Sequence, residues 1–339
     1  MRILTSLDAF KKDPAKPLIV GLGNFDGLHL GHQALVHHVL EQARVLGGTA
    51  AVLTFQNHPQ QVLHPNTKPP LLLPPDYKLF LFKEMGLDLC LWLPFTEQFS
   101  KIKARDFVAS ILVGQLGVKE VCMGYNAFFG YQREGNTALM QALAKEFRFR
   151  FEKIEPVRAA GDFVSSSRIR ELVRQGALDK AAICLGRPFR LWGQVVKGEG
   201  RGKSLGFPTA NLQLESEVLP LAGVYPVHAR VLELEFETGA SGLSKDLKVK
   251  TVGDWQAGVL NYGTRPTWGQ NSPPQAEVFL LDFDGNLYGK HLEVCLYGRL
   301  REEQAFASPE ALKQQIGEDV KRTRAYLKAN PGAKPRRLS

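Results

Sequence analysis

The sequence predicts an α/β domain followed by an all-β domain. Three observations carry this. Short apolar runs alternate with amphipathic segments through the first half. From about residue 187 closely spaced strand-like runs follow one another, separated by Gly, Pro and Asp-Gly turns. One long helical pattern closes the chain. Alternating strands and helices build a parallel sheet with helices on both faces, and short strands with tight turns build an antiparallel barrel. A length of 339 residues fits two domains at roughly 150 residues each. The boundary is expected in 185–188, giving domains 1–186 and 187–329 and a basic tail at 330–339.

Each element has its own signal. Leu18-Ile19-Val20 reads as a buried strand. Leu35, Val36, Val39, Leu40, Ala43 and Leu46 then recur at amphipathic-helix spacing. Further strands are expected at 49–55, 87–93, 120–124 and 149–154, with helices at 105–115 and 137–147. The Pro-rich stretch 59–75 reads as a loop. In the second half, strands are expected at 190–196, 224–234, 248–260, 276–282 and 291–296. The closing helix starts with Ser308 as cap and Pro309 at its first position and carries Leu312, Ile316, Val320 and Tyr326 near helical spacing.

Composition narrows the class. The formal charge is +9, which permits nucleic-acid binding. Part of the excess lies in Lys328, Lys334, Arg336 and Arg337, however, and the remaining basic residues are scattered without an aromatic RNA-binding signature. A basic enzyme acting on phosphorylated small molecules fits better, with no nucleic-acid partner. Cys90, Cys122, Cys184 and Cys295 are far apart and form no CxxC, which argues against zinc and disulfides and for a reducing, cytoplasmic setting. Neither a signal peptide nor a membrane-spanning run is expected. Self-association is not legible in the sequence.

The most informative stretch runs from Gly21 to His32, Gly-Leu-Gly-Asn-Phe-Asp-Gly-Leu-His-Leu-Gly-His. It joins the first strand to the first long helix. The glycines let a ligand approach the backbone, and the free N–H groups and dipole at the helix start favour an anion. His29 and His32 there could donate to charge that develops during phosphoryl or nucleotidyl transfer. The spacing is not the dinucleotide fingerprint, because Asp26 stands where its third glycine belongs. His29-Leu30-Gly31-His32 resembles the HxGH signature of the nucleotidylyltransferase superfamily. A second helix opens at Ser165-Ser166-Ser167-Arg168, where hydroxyls and a guanidinium suit phosphates. Asn126, in Gly124-Tyr125-Asn126, follows another strand end.

The second half has its own motif, from Lys197 to Asn211. Gly202-Lys203-Ser204 suggests a P-loop, but Lys197 occupies its required first glycine, and Gly206 and Pro208 oppose the helix that must follow. A glycine-rich flap remains, with Gly198, Gly200, Gly202 and Lys203 available to phosphates. Thr209 and Asn211 share one side of an extended segment and could hold Mg2+ through their oxygens.

From here the chain resembles a known family. Leu205-Gly-Phe-Pro-Thr-Ala-Asn-Leu212, then 223–225, 258–267, 277–283, 287–289 and 300–303 follow the riboflavin kinase family in order. The segments 25–32, 124–130 and 165–170 resemble the FAD synthetase module of the same bacterial bifunctional enzymes. The resemblance spans about 15–328. It implies a Rossmann-like nucleotidyltransferase domain and a six-stranded kinase barrel with a C-terminal helix. It implies riboflavin phosphorylation to FMN and adenylyl transfer to FAD, with ATP as co-substrate and Mg2+. His29, His32 and Arg168 would be catalytic in the first half, with Gly23, Phe25, Asn126, Ser166 and Ser167 binding nucleotide. In the second half Glu277 would be the base, and Gly198, Gly200, Gly202, Lys203, Thr209 and Arg301 would bind nucleotide. Ser167 replaces the family's usual threonine, Ala127-Phe128 its aromatic-basic pair, and Phe279 a frequent histidine. The stretch 235–256 is longer than the family's hairpin and is expected to be a surface excursion. The alternatives are a kinase with a degenerate first domain and an RNA-associated protein.

Overall fold

The apolar runs of the first half become the strands expected of them. In a computed structural model, which describes all residues except 199–201, 203, 204, 240, 241, 264–274, 331–334 and 336–339, the chain divides into two units. One holds Met1–Ser165 with Leu234–Lys248, the other Ser166–Glu233 with the described residues from Val249 on. Residues 166–186 thus cluster with the second unit, not with the first as the texture change near 187 suggests.

The first unit contains β1 (Arg2–Leu4), β2 (Leu18–Leu22), α1 (Leu30–Leu46), β3 (Thr49–Phe55), α2 (Pro59–Leu63), α3 (Pro75–Glu84), β4 (Leu89–Leu93), α4 (Glu97–Ser100), α5 (Ala104–Asp106), β5 (Val118–Gly124), α6 (Thr137–Phe147), β6 (Arg150–Ile154) and the short pair β7 (Arg158–Ala159) and β8 (Asp162–Phe163). Six parallel strands run in the order β1-β4-β3-β2-β5-β6. Every residue of β2 and β4 is buried, as continuous apolar strands in a doubly covered sheet must be.

Two local expectations are corrected. Residues 59–75 are not all loop: Pro59 opens α2 behind a His58 cap, and Pro75 opens α3. That helix has no amphipathic stripe, since Tyr77 through Phe82 are all buried. A helix buried all round lacks the period that reveals helices in sequence. The helix expected at 105–115 begins as α5 and continues over Phe107–Leu116 with π-helical bonding, ending at Gly117.

The chain from Ser166 onward contains α7 (Ser166–Arg174), α8 (Leu178–Leu185), β9 (Phe189–Val196), β10 (Ala210–Leu214), β11 (Gly223–Thr238), β12 (Ser244–Val252), β13 (Gln256–Gly263), β14 (Gln275–Leu280), β15 (His291–Leu296) and α9 (Pro309–Ala329). The run 248–260 is therefore two strands. Six strands close on themselves in the order β13-β14-β10-β9-β15-β11, with β11 pairing back to β13. Every neighbour is antiparallel, and closure leaves no open edge. Glu293 of β15, wholly buried, accepts from Arg190 and from Arg230, the latter at 2.6 Å. Both guanidinium groups also lie over Trp255. Glu293→Ala would strand two buried cations, and breaking such a group costs about 3–5 kcal/mol. The urea midpoint of the variant is expected to fall accordingly.

The stretch 235–256 lies at the surface, with Leu247 its one buried residue among those described, but it is built of strands. Its strands β11 and β12 form an arm, and 234–248 belong to the first unit. There β12 adds an antiparallel edge to the sheet, pairing Arg2 with Asp246 and Leu4 with Ser244. Lys83 donates to the Leu247 carbonyl at 2.6 Å, and Leu247 is buried. Among the described residues no helix is long and apolar enough to cross a membrane.

Candidate active sites

The topology of the first unit marks its own ligand crevice. From β2 the chain builds β3 and β4 on one side of the sheet, then β5 and β6 on the other. Ligands bind outside the carboxyl ends of strands at such a switch point. Both sequence candidates of this unit lie there: the turn after β2, and Gly124–Asn126 after β5, with Leu22 in register with Met123.

The turn is built from unusual backbone. Phe25 (φ 51), Gly27 (φ 82) and Leu28 (φ 40) are left-handed, which costs a side-chain-bearing residue energy and persists only where surroundings enforce it. His29 then returns to extended backbone as the cap of α1, its Nδ1 accepting from the His32 N–H at 3.3 Å. A neutral imidazole that accepts at Nδ1 carries its proton on Nε2. The two histidine rings stack 3.7 Å apart, 13° from parallel. Phe25 is wholly buried, edge-on to His32 at 5.4 Å and to Phe82 at 5.3 Å. Its ring underpins the turn. Asn126 is exposed in a turn closed by the Ala127 N–H to Gly124. Thus His29, His32 and Asn126 share one sheet edge. Ser166, Ser167 and Arg168 open α7 in the second unit, with Ser167 exposed and the other two half-buried.

The barrel brings together a second group of the residues singled out in sequence. Glu277 on β14 stands opposite Asn211 on β10 and Asn261 on β13. Directly opposed residues on antiparallel strands share a face. The Thr209 hydroxyl donates to Glu277 Oε2 at 3.4 Å. The flap backbone presses on this group: a Cβ at Gly198 would fall 2.1 Å from the Asn211 amide, and one at Gly202 would fall 3.0 Å from Thr209 Oγ1. Gly200 and Lys203 lie outside the described residues, as do 264–267 of the resemblance and nearly all of the tail. Asn261 was not singled out from sequence. Its parity with Glu277 appears only once β13 and β14 are paired.

Arg301 bridges by its backbone to Val224, the residue opposite Asn261. It holds Asp319 of α9 in a two-pronged pair at 3.0 and 2.7 Å, and Asp319 is buried and also accepts from Gln315. One further group of metal-type side chains occurs among the described residues, His38, Glu120 and Cys122. His38 lies 2.7 Å from Glu120, and burial, then the nearby Glu120, push the Cys122 thiol up. A thiol and an imidazole are poor partners for magnesium, which prefers oxygen.

Comparison with known proteins settles the family. The FAD synthetase profile matches residues 11–168 and the riboflavin kinase profile residues 185–327. A bifunctional riboflavin kinase/FMN adenylyltransferase of Pseudomonas fluorescens is 36% identical over 307 residues, covering 91% of this chain and 92% of the relative. The chain belongs to the bifunctional riboflavin kinase/FMN adenylyltransferase family. The protein of the same description from Escherichia coli K12 is 33% identical over 327 residues, covering 96% and 98% of the two chains. A solved structure described as a macrolide-efflux protein from Streptococcus pneumoniae superposes with TM-score 0.77 at 26% identity, covering 95% of this chain and 98% of its own. Both catalytic domains are present in one enzyme, adenylyltransferase first and kinase second.

Proposed function

We propose that the β2–β5 crevice carries adenylyl transfer and the Thr209–Asn211–Glu277 group carries riboflavin phosphorylation. The observation that carries the reading is Glu277, set between two asparagines and facing the Thr209 hydroxyl beneath a glycine flap. The riboflavin 5′-hydroxyl attacks the γ-phosphate of ATP, and the Glu277 carboxylate accepts the hydroxyl proton as ADP leaves. Gly198 and Gly202, with Gly200 and Lys203 beyond the described residues, give the flap its phosphate contacts. Arg301 serves the nucleotide site by fixing α9 through Asp319. In the first unit an FMN phosphate oxygen attacks the α-phosphate of ATP and pyrophosphate leaves. No protein nucleophile is required, so positioning and charge stabilisation set the rate. His29, His32 and Asn126 are assigned to that work, with backbone contacts at Gly23 and Phe25.

Thr209 Oγ1 and the Asn211 amide oxygen form an oxygen donor pair, which suits Mg2+. Bound there, the ion would offset phosphate charge. Thr209→Ala is expected to weaken kinase turnover and shift its magnesium titration upward, while supplied FMN is still adenylylated. An unchanged titration would remove Thr209 from the donor set. Four buried cysteines outside any disulfide support a reducing, cytoplasmic setting, and small molecules rather than nucleic acid or membrane as partners. Incubation with riboflavin, ATP and magnesium, followed by chromatography of FMN and FAD, tests the whole reading. FMN without FAD would favour the kinase-only alternative.

A further inference from the structure

Lys78 is a buried lysine on the otherwise apolar face of α3. Its Nζ lies 3.2 Å from the Asn24 carbonyl, 3.3 Å from the Phe55 carbonyl and 3.4 Å from Thr54 Oγ1. Those three acceptors match the three donors of an ammonium group, whereas a neutral amine offers only two. Burial lowers its proton affinity, and the neighbouring Cys90 and Asp26 oppose that shift.

The acceptors lie where the chemistry is assigned. Asn24 belongs to the turn after β2, one residue before left-handed Phe25, and Thr54 and Phe55 end β3, the next strand along the crevice. Two more ties reach the same turn from the same side. Asp26, which is buried, accepts from the Leu72 N–H at 2.9 Å and the Leu73 N–H at 3.3 Å. One helical turn beyond Lys78, Phe82 meets the Phe25 ring edge-on. Burying a charge costs more than burying an apolar side chain of similar volume. Stability alone would be served by methionine at position 78. What the ammonium adds is one specified conformation for a turn that contains two left-handed residues other than glycine.

We propose that Lys78 is a positioning residue for adenylyl transfer, holding the β2–α1 turn so that His29 and His32 meet the nucleotide in working geometry. The proposal rests on assigning adenylyl transfer to that turn. Lys78 touches no reacting atom. It acts through Asn24 and the end of β3.

The test uses the full chain, supplied with FMN and ATP for FAD formation and with riboflavin and ATP for FMN formation. Displacing a reacting group by about 1 Å costs roughly 100-fold in rate. Lys78→Met keeps length and burial and removes the donors, so its kcat for FAD should fall by about that factor. KM for FMN and ATP should stay within about threefold, because binding is shared by groups that the variant leaves in place. Riboflavin phosphorylation should be unchanged, which also reports that the chain has folded. Thr54→Val removes one acceptor and keeps the shape, and should lower the same kcat by about 10-fold. Lys78→Met with near-wild-type kcat for FAD, or with a loss confined to KM, would overturn the proposal. If Lys78→Met fails to fold, an unchanged kcat in Thr54→Val overturns it instead. His29→Ala is run alongside. Its retention of FAD synthesis would instead show that the turn is not the adenylyl-transfer site.

Discussion

Glu277→Gln should lower riboflavin phosphorylation by roughly 100- to 10,000-fold, the usual size of a general-base contribution. The substitution keeps the side-chain shape and an oxygen able to accept from Thr209, 3.4 Å away. The cross-strand places of Asn211 and Asn261 should also survive, because backbone pairing sets them. Only the basic carboxylate is removed. Quenching of riboflavin fluorescence should therefore report nearly intact flavin binding, and supplied FMN should still be converted to FAD. Kinase turnover near wild type would show that the proton leaves by another route and that Glu277 is a cross-strand structural residue.

Replacing His29 or His32 by alanine is expected to lower FAD synthesis about 100- to 1000-fold, the range for loss of one preorganised donor to transition-state charge. His29 has a second duty, because it caps α1 through Nδ1. Losing a cap costs about 1 kcal/mol of stability. His29→Asn separates the two roles, since asparagine is a good cap and lacks the imidazole Nε2. Melting temperature should recover in that variant while FAD formation stays low. FMN formation should persist in all three variants. FAD synthesis near wild type in His32→Ala and His29→Asn would reduce both histidines to parts of a structural turn.

Much of this was legible in the chain itself. A strand, a glycine-rich turn with HxGH and an amphipathic helix are contiguous, so their meaning survives without tertiary information. The same holds for the flap and Thr209-Ala210-Asn211. Ser308 and Pro309 announced α9 by capping chemistry alone, and the structure confirms the Ser308 cap on the Ala311 N–H. The elements missed share a different property. In α3 the buried residues wrap the whole helix, so no period distinguishes it. The arm 234–248 reads as polar and glycine-flanked, yet it is held by backbone pairing to β1, and hydrogen bonds between backbones leave little trace in side-chain pattern.

By itself the sequence determined the two-domain order and the parallel and antiparallel characters of the halves. These follow from local chemistry: periodicity, caps, turn residues and ordered motifs. Only the tertiary structure decided which distant residues stand together. Closure of the barrel set Asn261 beside Glu277, and the reversal of strand order set Asn126 and the His29 turn at the same ends of neighbouring strands. Folding α3 beneath that turn brought Lys78 to Asn24, 54 residues away. Proximity of that kind arises from register and packing between segments remote in sequence, and no local pattern records it.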